Sequence, residues 1–509
     1  MKRAILIILL GTIVRFFLAL MAQPGGDGCF HLNVARFIAT NNRIPVFELL
    51  GRDVFSRPPL FHFIGAALFK VFGVFGESAS NAAMKLISPL FGSLTILLVF
   101  LISKKVFNKK VALYSTIFIA FLPIHIDYSS TPHVEALLVF FLTVSLHFIL
   151  TNRPKLSGLS YGLALLTKYQ ALFILPVLLL AFYLRHKKKH PVFVKKSAVF
   201  LLISFAISLP WFIRNYIALN NPIWPYLNSF FGGAHGAILD TFKMSPSISH
   251  LLTHKLVTTP YLEFFGVPLG QFKYLFYYNI PFLGILLLLW GLATLVFVLP
   301  LIIGFINVKI KSKNIIIFLS WIGIYALSFI GFAFLNKTIV GRYLFPIIPI
   351  LSIIWGFGLS RLFKKIPKTL VLLAITFCII GFVSSEALKV SLISGNWHYY
   401  DNDFNWIKEN TPKDAVFFAQ GQCFSYYFNR PDYYAGAYYP KGASYAEVNS
   451  TIMEIIKENN INYIWVNQNF GLAPESVLPE DVLNIFKVSY GKSLVYKNEK
   501  TGTYILKTG

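Results

Sequence analysis

The run AILIILLGTIVRFFLALMA, residues 4–22, followed at once by Gln23-Pro24-Gly25-Gly26-Asp27-Gly28, decides what kind of chain this is. As a helix it spans about 30 Å, the thickness of a bilayer's hydrocarbon core. Comparable apolar runs recur to about residue 388, so the first reads as an anchor rather than a cleaved signal peptide. The 509 residues are 56% hydrophobic and 13% charged, about half the charged share of an ordinary soluble protein. These features describe a polytopic membrane protein.

A formal charge of +25 would ordinarily raise the question of nucleic acid. The cations instead sit in short loops that alternate along the chain: Lys2-Arg3, Lys104-Lys105 with Lys109-Lys110, Arg153 and Lys155, residues 185–196, 309–313 and 361–368. Cationic loops resist translocation and so fix orientation. The charge therefore reports topology, with a cytoplasmic N-terminus, and implies no nucleic-acid partner. Cys378 lies in a span and cannot reach the other two cysteines. Cys29 and Cys423 would both face outside and could pair, although two scattered cysteines are weak evidence for a bridge.

With basic loops as cytoplasmic markers, about eleven spans emerge: 4–22, 79–103, 111–127, 132–150, a short pair 157–169 and 170–185, 197–216, 281–306, 314–335, 340–360 and 369–388. The short pair would hold Lys168 between its halves, near or within the outer surface. Residues 23–78, 217–280 and everything after 388 are left outside. The 217–280 segment is rich in Trp, Tyr, Phe, Pro and Gly and should lie on the membrane, since Trp and Tyr favour the headgroup zone. From residue 396 acids and amides return, with helical stretches at 404–409 and 446–458 and β-prone runs at 416–419, 463–466, 493–496 and 504–506. That reads as a soluble α/β domain, 396–509, behind a transmembrane domain, 1–390. The fold class is mainly α, polytopic, with interfacial helices and a small C-terminal α/β domain.

The first outside segment supplies Asp27, His31, Arg36, Arg52, Asp53, Arg57, His62 and Glu77. Its stretch from Phe30 through Val34 to Phe37 and Ile38 is amphipathic, and Arg57-Pro58-Pro59 is basic and stiff. A carboxylate at a membrane surface followed by cations suits chemistry on a lipid-carried phosphate; the competing reading is a solvated loop acid. The loop after the third span supplies Asp127, His133 and Glu135. Glu135 would enter the fourth span, where carboxylates usually face a cavity and carry function, unless it snorkels to the surface. Asp27, Cys29, His31, His62 and His133 match no tight zinc-ligand spacing. No Gly-rich phosphate loop, G-x-S-x-G elbow or H-E-x-x-H occurs.

In order along the chain come Asp27, Arg36, Arg57-Pro58-Pro59-Leu60 leading to Leu68-Phe69-Lys70-Val71-Phe72-Gly73, Gly76-Glu77 and Lys85. They are followed by Glu135 opening an apolar run, Leu166-Thr167-Lys168, Asn221-Pro222-Ile223-Trp224-Pro225 and Gly341-Arg342-Tyr343-Leu344-Phe345-Pro346. This order resembles the GT-C superfamily of polytopic glycosyltransferases, in the branch of the protein O-mannosyltransferases and the lipid A aminoarabinose transferases (ArnT-like). The resemblance covers most of the membrane part. It departs at Gly28, where some relatives carry a second acid, at Phe30 and His31, which replace the Arg and Tyr of the aminoarabinose enzymes, and at Glu135, where Asp is commoner. Donor headgroup and acceptor therefore do not carry over.

What the resemblance implies is transfer of a sugar from a polyprenyl (dolichyl or undecaprenyl) phosphate to a lipid, glycan or protein acceptor at the outer membrane face, with inversion. Asp27 would be the general base, with Glu135 a second catalytic carboxylate. Arg57, Arg342, Lys85, Lys168 and Arg36 are the candidates for the donor phosphate, Arg57 offering a fork that matches phosphate oxygens. His31, Glu77, Asp127, His133 and Tyr343 are candidate acceptor or sugar contacts. Fixed cations make a metal unnecessary, so no cofactor is expected, although a divalent ion could still bind. Two rival classes stay open: a lipid or sugar flippase, disfavoured by the lack of internal repeats and by polar groups gathered at one face rather than the midplane, and a non-catalytic glycan-binding membrane protein.

Overall fold

The computed structural model describes residues 2–45, 57–224, 226–232, 297–335, 341–364, 366–419, 423–434, 456–467 and 493–508, with the isolated positions 294, 450, 453 and 454. Most of the expected loop 217–280, much of the expected span 281–306 and most of the expected helix 446–458 lie outside the described residues.

Helices follow in the order α1 (Lys2–Met21), α2 (Asp27–Asn41), α3 (Leu60–Phe72), α4 (Glu77–Lys85), α5 (Ile87–Val106), α6 (Lys109–Phe121), α7 (Pro123–Ser130), α8 (Glu135–Leu150), α9 (Pro154–Leu165), α10 (Leu175–His186) and α11 (His190–Leu219). Next come the single turn α12 (Asn228–Phe231), α13 (Phe297–Asn307), α14 (Lys313–Leu335), α15 (Ile348–Leu362) and α16 (Lys368–His398), then α17 (Asp401–Asn410) and α18 (Phe424–Phe428). Among the described residues, seven helices are long and apolar enough to cross a membrane, or eight if the bent pair α6 and α7 is one span. The chain is an integral membrane protein of mainly helical fold with a small C-terminal sheet. The expected spans are largely helical where they are described, but α8 and α9, of 16 and 12 residues, are shorter than a full crossing.

Two breaks interrupt the helical run. At Leu122 the backbone turns extended before Pro123, a residue that excludes its predecessor from the helix, and α6 and α7 meet at 59°. The second break falls at Lys168, between the two short spans where it was expected. There α9 has ended, Lys168 is extended, and a 3₁₀ turn, Tyr169–Ile174, leads into α10.

Contacts divide the chain into two units. The first comprises Met1–Met21, Ser56–Phe61 and Lys85–Val390; the second comprises Ala22–Phe55, His62–Met84 and Ser391–Gly509. The first is a helical bundle with a continuous apolar interior, including Phe118, Leu138, Tyr161, Phe200, Trp321 and Trp355. Small residues allow its helices to approach closely. A Cβ on Gly158 of α9 would lie 2.6 Å from the Phe200 carbonyl of α11, and one on Gly162 would lie 2.8 Å from the Ser204 carbonyl. A small-xxx-small stripe of this kind lets backbones touch, which is how helices associate in lipid where no hydrophobic force separates them from solvent.

In the second unit the first outside segment groups with the tail. Strands β1 (Phe417–Ala419), β2 (Asp432–Tyr434), β3 (Tyr463–Asn467), β4 (Leu494–Asn498) and β5 (Thr503–Lys507) form one mixed sheet in the order β2-β1-β3-β5-β4. The β1 pairings are parallel, while β3–β5 and β4–β5 are antiparallel. Asp403 at the start of α17 is buried and accepts from Tyr496, Asn498 and Thr503, locking that helix onto the β4–β5 hairpin. A disulfide joins Cys29 of α2 to Cys423 beside α18, so these two cysteines do pair.

Candidate functional site

Within the helical unit the decisive group is Glu135, the first residue of α8 and only 2% exposed. Its Oε1 accepts from Lys168 Nζ at 2.7 Å, and Arg342 Nε stands 4.0 Å away, at the outer edge of an ion pair. Lys168 comes from the break after α9 and Arg342 from the 3₁₀ turn Gly341–Ile347. His133 also acts on the Glu135 carboxylate electrostatically. The Glu135 Oε2 atom is buried without a hydrogen bond among the described residues. Glu135 therefore does not snorkel to the surface.

Aromatic side chains extend this cluster. Lys168 Nζ lies 5.6 Å over the ring of Tyr343, whose carbonyl accepts from Gln170 at 2.6 Å. Tyr169 accepts from Trp211 and Asn215 and meets the Tyr226 ring edge-on. Tyr226 keeps 40% of its surface open. Even so, desolvation pushes its hydroxyl up to about 12, with Tyr343 adding to the shift and Arg57 opposing it. Arg57 thus enters the same neighbourhood. The backbone secures it there, because Leu60 N, at the end of Arg57-Pro58-Pro59, donates to Leu166 O at 2.9 Å.

Three cations, Arg57, Lys168 and Arg342, are gathered here with one carboxylate. Excess positive charge held in a half-buried site favours an anionic ligand, because low local dielectric strengthens the attraction. Guanidinium groups match phosphate oxygens in shape as well as charge.

Other expected site residues lie in different places. Among the described residues Lys85 makes a long contact, 3.4 Å to Leu20 O. Asp127 pairs with Lys389 of α16, which also approaches Glu386 at 3.9 Å. Neither Lys389 nor Glu386 was expected; an acid inside an apolar helix was the available signal. Arg15 was missed in the same way. It is fully buried, donating to Gly11, Ala120 and Ile119 carbonyls and to His125 Nδ1.

In the second unit Asp27 is half-buried in the first turn of α2, behind Gly26 at φ 49°. The helix N-terminus favours negative charge at that position. One turn on, His31 Nδ1 lies 2.9 Å from His62 Nε2. Arg36 is occupied by Asn429, Asn81 and Glu77 and covers the Tyr426 ring. Burial pulls its guanidinium below the usual value, opposed by Glu77 and Tyr426. Arg36 therefore ties α2 to α4 and to the tail. Among the described residues no group of three or more His, Cys, Asp or Glu side chains is placed to hold a metal ion.

Residues 56–213 match the profile of the family described as dolichyl-phosphate-mannose-protein mannosyltransferase. An uncharacterized protein of Aquifex aeolicus (strain VF5) is 26% identical over 181 residues, a match covering 34% of this chain and 35% of that one, so the shared part is about a third of that relative. ArnT from Cupriavidus metallidurans superposes in its apo state with a TM-score of 0.64 and bound to undecaprenyl phosphate with 0.63, at 14% identity. Those matches cover 99% of this chain and 97% and 98% of the other. The archaeal oligosaccharyltransferase AglB from Archaeoglobus fulgidus, in complex with an inhibitory peptide and a dolichol-phosphate, gives a TM-score of 0.61 at 14% identity, over 99% of this chain and 74% of that one. The chain has an ArnT-like GT-C fold.

Proposed function

We propose that this protein is a glycosyltransferase that takes a sugar from a polyprenyl phosphate and passes it to a lipid, glycan or protein acceptor at the outer membrane face. The observation that carries the reading is the pairing of Lys168 and Arg342 with one buried carboxylate, Glu135, beside Tyr226, on which Arg57 acts. It is supported by fold relatives solved with undecaprenyl phosphate and with dolichol-phosphate.

In this reading Asp27 accepts the proton of the acceptor hydroxyl. The acceptor oxygen then bonds to the anomeric carbon as the bond from that carbon to the phosphate oxygen breaks. Attack opposite the phosphate inverts the anomeric centre. The polyprenyl phosphate leaves with its negative charge held by Arg57, Lys168 and Arg342. Glu135 is reassigned from catalysis to positioning, since its carboxylate orients Lys168 and Arg342. Arg36 is reassigned to holding α2. Fixed cations of this kind perform the charge stabilisation that a divalent ion performs elsewhere, so the reading requires no metal.

The test is turnover of a labelled polyprenyl-phosphate sugar by the purified full chain. Sugar transfer or donor hydrolysis is expected, undiminished by a chelator. Movement of the donor across a bilayer without bond cleavage would establish a flippase instead. Asp27→Asn keeps the size of the side chain but cannot take the proton. General-base catalysis is worth roughly a hundred- to ten-thousand-fold, so turnover should fall by that order with donor binding retained. Near-normal turnover would remove Asp27 from the mechanism.

A further inference from the structure

A second cationic site lies in the helical unit, lined by none of the candidate site residues named above. A cavity of about 510 Å³ opens between the first turn of α1, the last turn of α5 and the first turn of α6. Lys2, Arg3, Lys104, Lys109 and Lys110 line it, together with Tyr114. Among the described residues no carboxylate contributes to its wall. The cation-bearing segments 1–3, 104–110, 151–156, 185–197, 307–313 and 361–368 likewise contain no Asp or Glu at all. The first turns of α1 and α6 add the positive ends of two helix dipoles. On the remaining side the wall is apolar, with Phe100 and Leu113.

The rule that puts cations in cytoplasmic loops explains a basic face. It does not explain a cavity into which three separate segments direct five cations. Like charges brought this close repel one another, and an anion seated among them relieves that cost. We propose that this cavity binds the headgroup of an anionic phospholipid, its phosphate among Arg3, Lys104, Lys109 and Lys110 and its chains leaving past Phe100 and Leu113. Basic pockets between helix ends are suited to such headgroups, and the apolar wall favours a lipid over a free phosphate.

The experiment measures lipid binding to the detergent-purified full chain by native mass spectrometry, with dioleoyl phosphatidylglycerol against dioleoyl phosphatidylcholine. The native protein should prefer phosphatidylglycerol. Each lysine near an anionic surface is worth roughly fivefold, so Lys104→Gln/Lys109→Gln/Lys110→Gln should weaken phosphatidylglycerol binding on the order of a hundredfold. Phosphatidylcholine binding should be unchanged. Lys187→Gln/Lys188→Gln/Lys189→Gln removes as much charge from another basic loop and should leave binding within about twofold. If the triple variant in the cavity does not fold, Lys109→Gln alone should cost about fivefold. Equal losses from the two triple variants, or no loss from either, would overturn the site. Inorganic phosphate competing at concentrations comparable to those of the lipid would overturn its assignment to a lipid.

Discussion

Lys168 and Glu135 form an ion pair whose energetics separate structure from function. Glu135 is buried and Lys168 is 24% exposed, so removing Lys168 leaves a buried carboxylate without its hydrogen-bonded partner, with Arg342 only at 4.0 Å. Lys168→Met should therefore lower stability by about 3–5 kcal/mol, measured by thermal unfolding in detergent. The double variant Lys168→Met/Glu135→Leu removes the stranded charge and should recover most of that loss. Donor binding should stay weak in both, because the phosphate has lost a cation. Recovery of donor affinity in the double variant would show that Lys168 serves only Glu135. Arg57→Ala and Arg342→Ala should each weaken donor binding by roughly ten- to a hundredfold, the worth of a charged hydrogen bond. Arg57→Lys should rescue only in part, keeping the charge but losing the fork. Unchanged donor affinity in both Ala variants would assign these residues to lipid-headgroup anchoring. The sequence made Glu135, Lys168 and Arg342 visible as charges next to apolar runs. Their convergence depends on how α8, the break after α9 and the Gly341–Ile347 turn pack, which no local pattern encodes.

The bent pair α6–α7 shows how an element depends on a residue distant in sequence. Pro123 has no N–H, so the Ile119 carbonyl loses its helical partner, and the bend frees the Ala120 carbonyl as well. Arg15 of α1 donates to both, at 3.1 and 2.8 Å, and to His125 Nδ1. Since a guanidinium can only donate, His125 Nδ1 is the acceptor and its proton sits on Nε2. Behind it the His125 ring stacks on Phe345, three residues after Arg342. Arg15→Met should leave two carbonyls unpaired in the apolar interior, at a cost of several kcal/mol. The expected result is a marked loss of thermal stability and of detergent-extractable protein. A stable Arg15→Met protein would mean that the bend satisfies itself. A charge within residues 4–22 was readable from sequence; its acceptors, about a hundred residues away, were not. The same distance hid the Cys29–Cys423 bond, whose partners are 394 residues apart. Of the two breaks, the one at Lys168 was expected between short spans, whereas the expected span 111–127 ran straight through Pro123, where the structure bends.

At the scale of the whole molecule, apolar runs and basic loops were enough to define a polytopic helical protein, because bilayer thickness and translocation cost act on composition alone. Four of the tail's five described strands were legible from β-prone runs, while β2 (Asp432–Tyr434) was not expected and the mixed order had to await the sheet. Two independent observations support the proposed orientation. The acid-free segments carry the cations, a pattern that favours the cytoplasm for them. The Cys29–Cys423 disulfide belongs to segments outside those loops, and disulfides persist in oxidising compartments. Both favour the proposal that the segments holding α2 and the tail face outside. The remaining cysteine, Cys378, is buried, so single introduced cysteines can be read against a silent background. Glu499 is 82% exposed in the tail and Lys188 is exposed in a basic loop. Glu499→Cys should react with a membrane-impermeant maleimide in intact cells, and Lys188→Cys only after lysis. The reverse pattern would invert the topology. It would place Asp27, Arg36 and the tail in the cytoplasm, where a disulfide would not persist, and would move the proposed sugar transfer to the opposite membrane face.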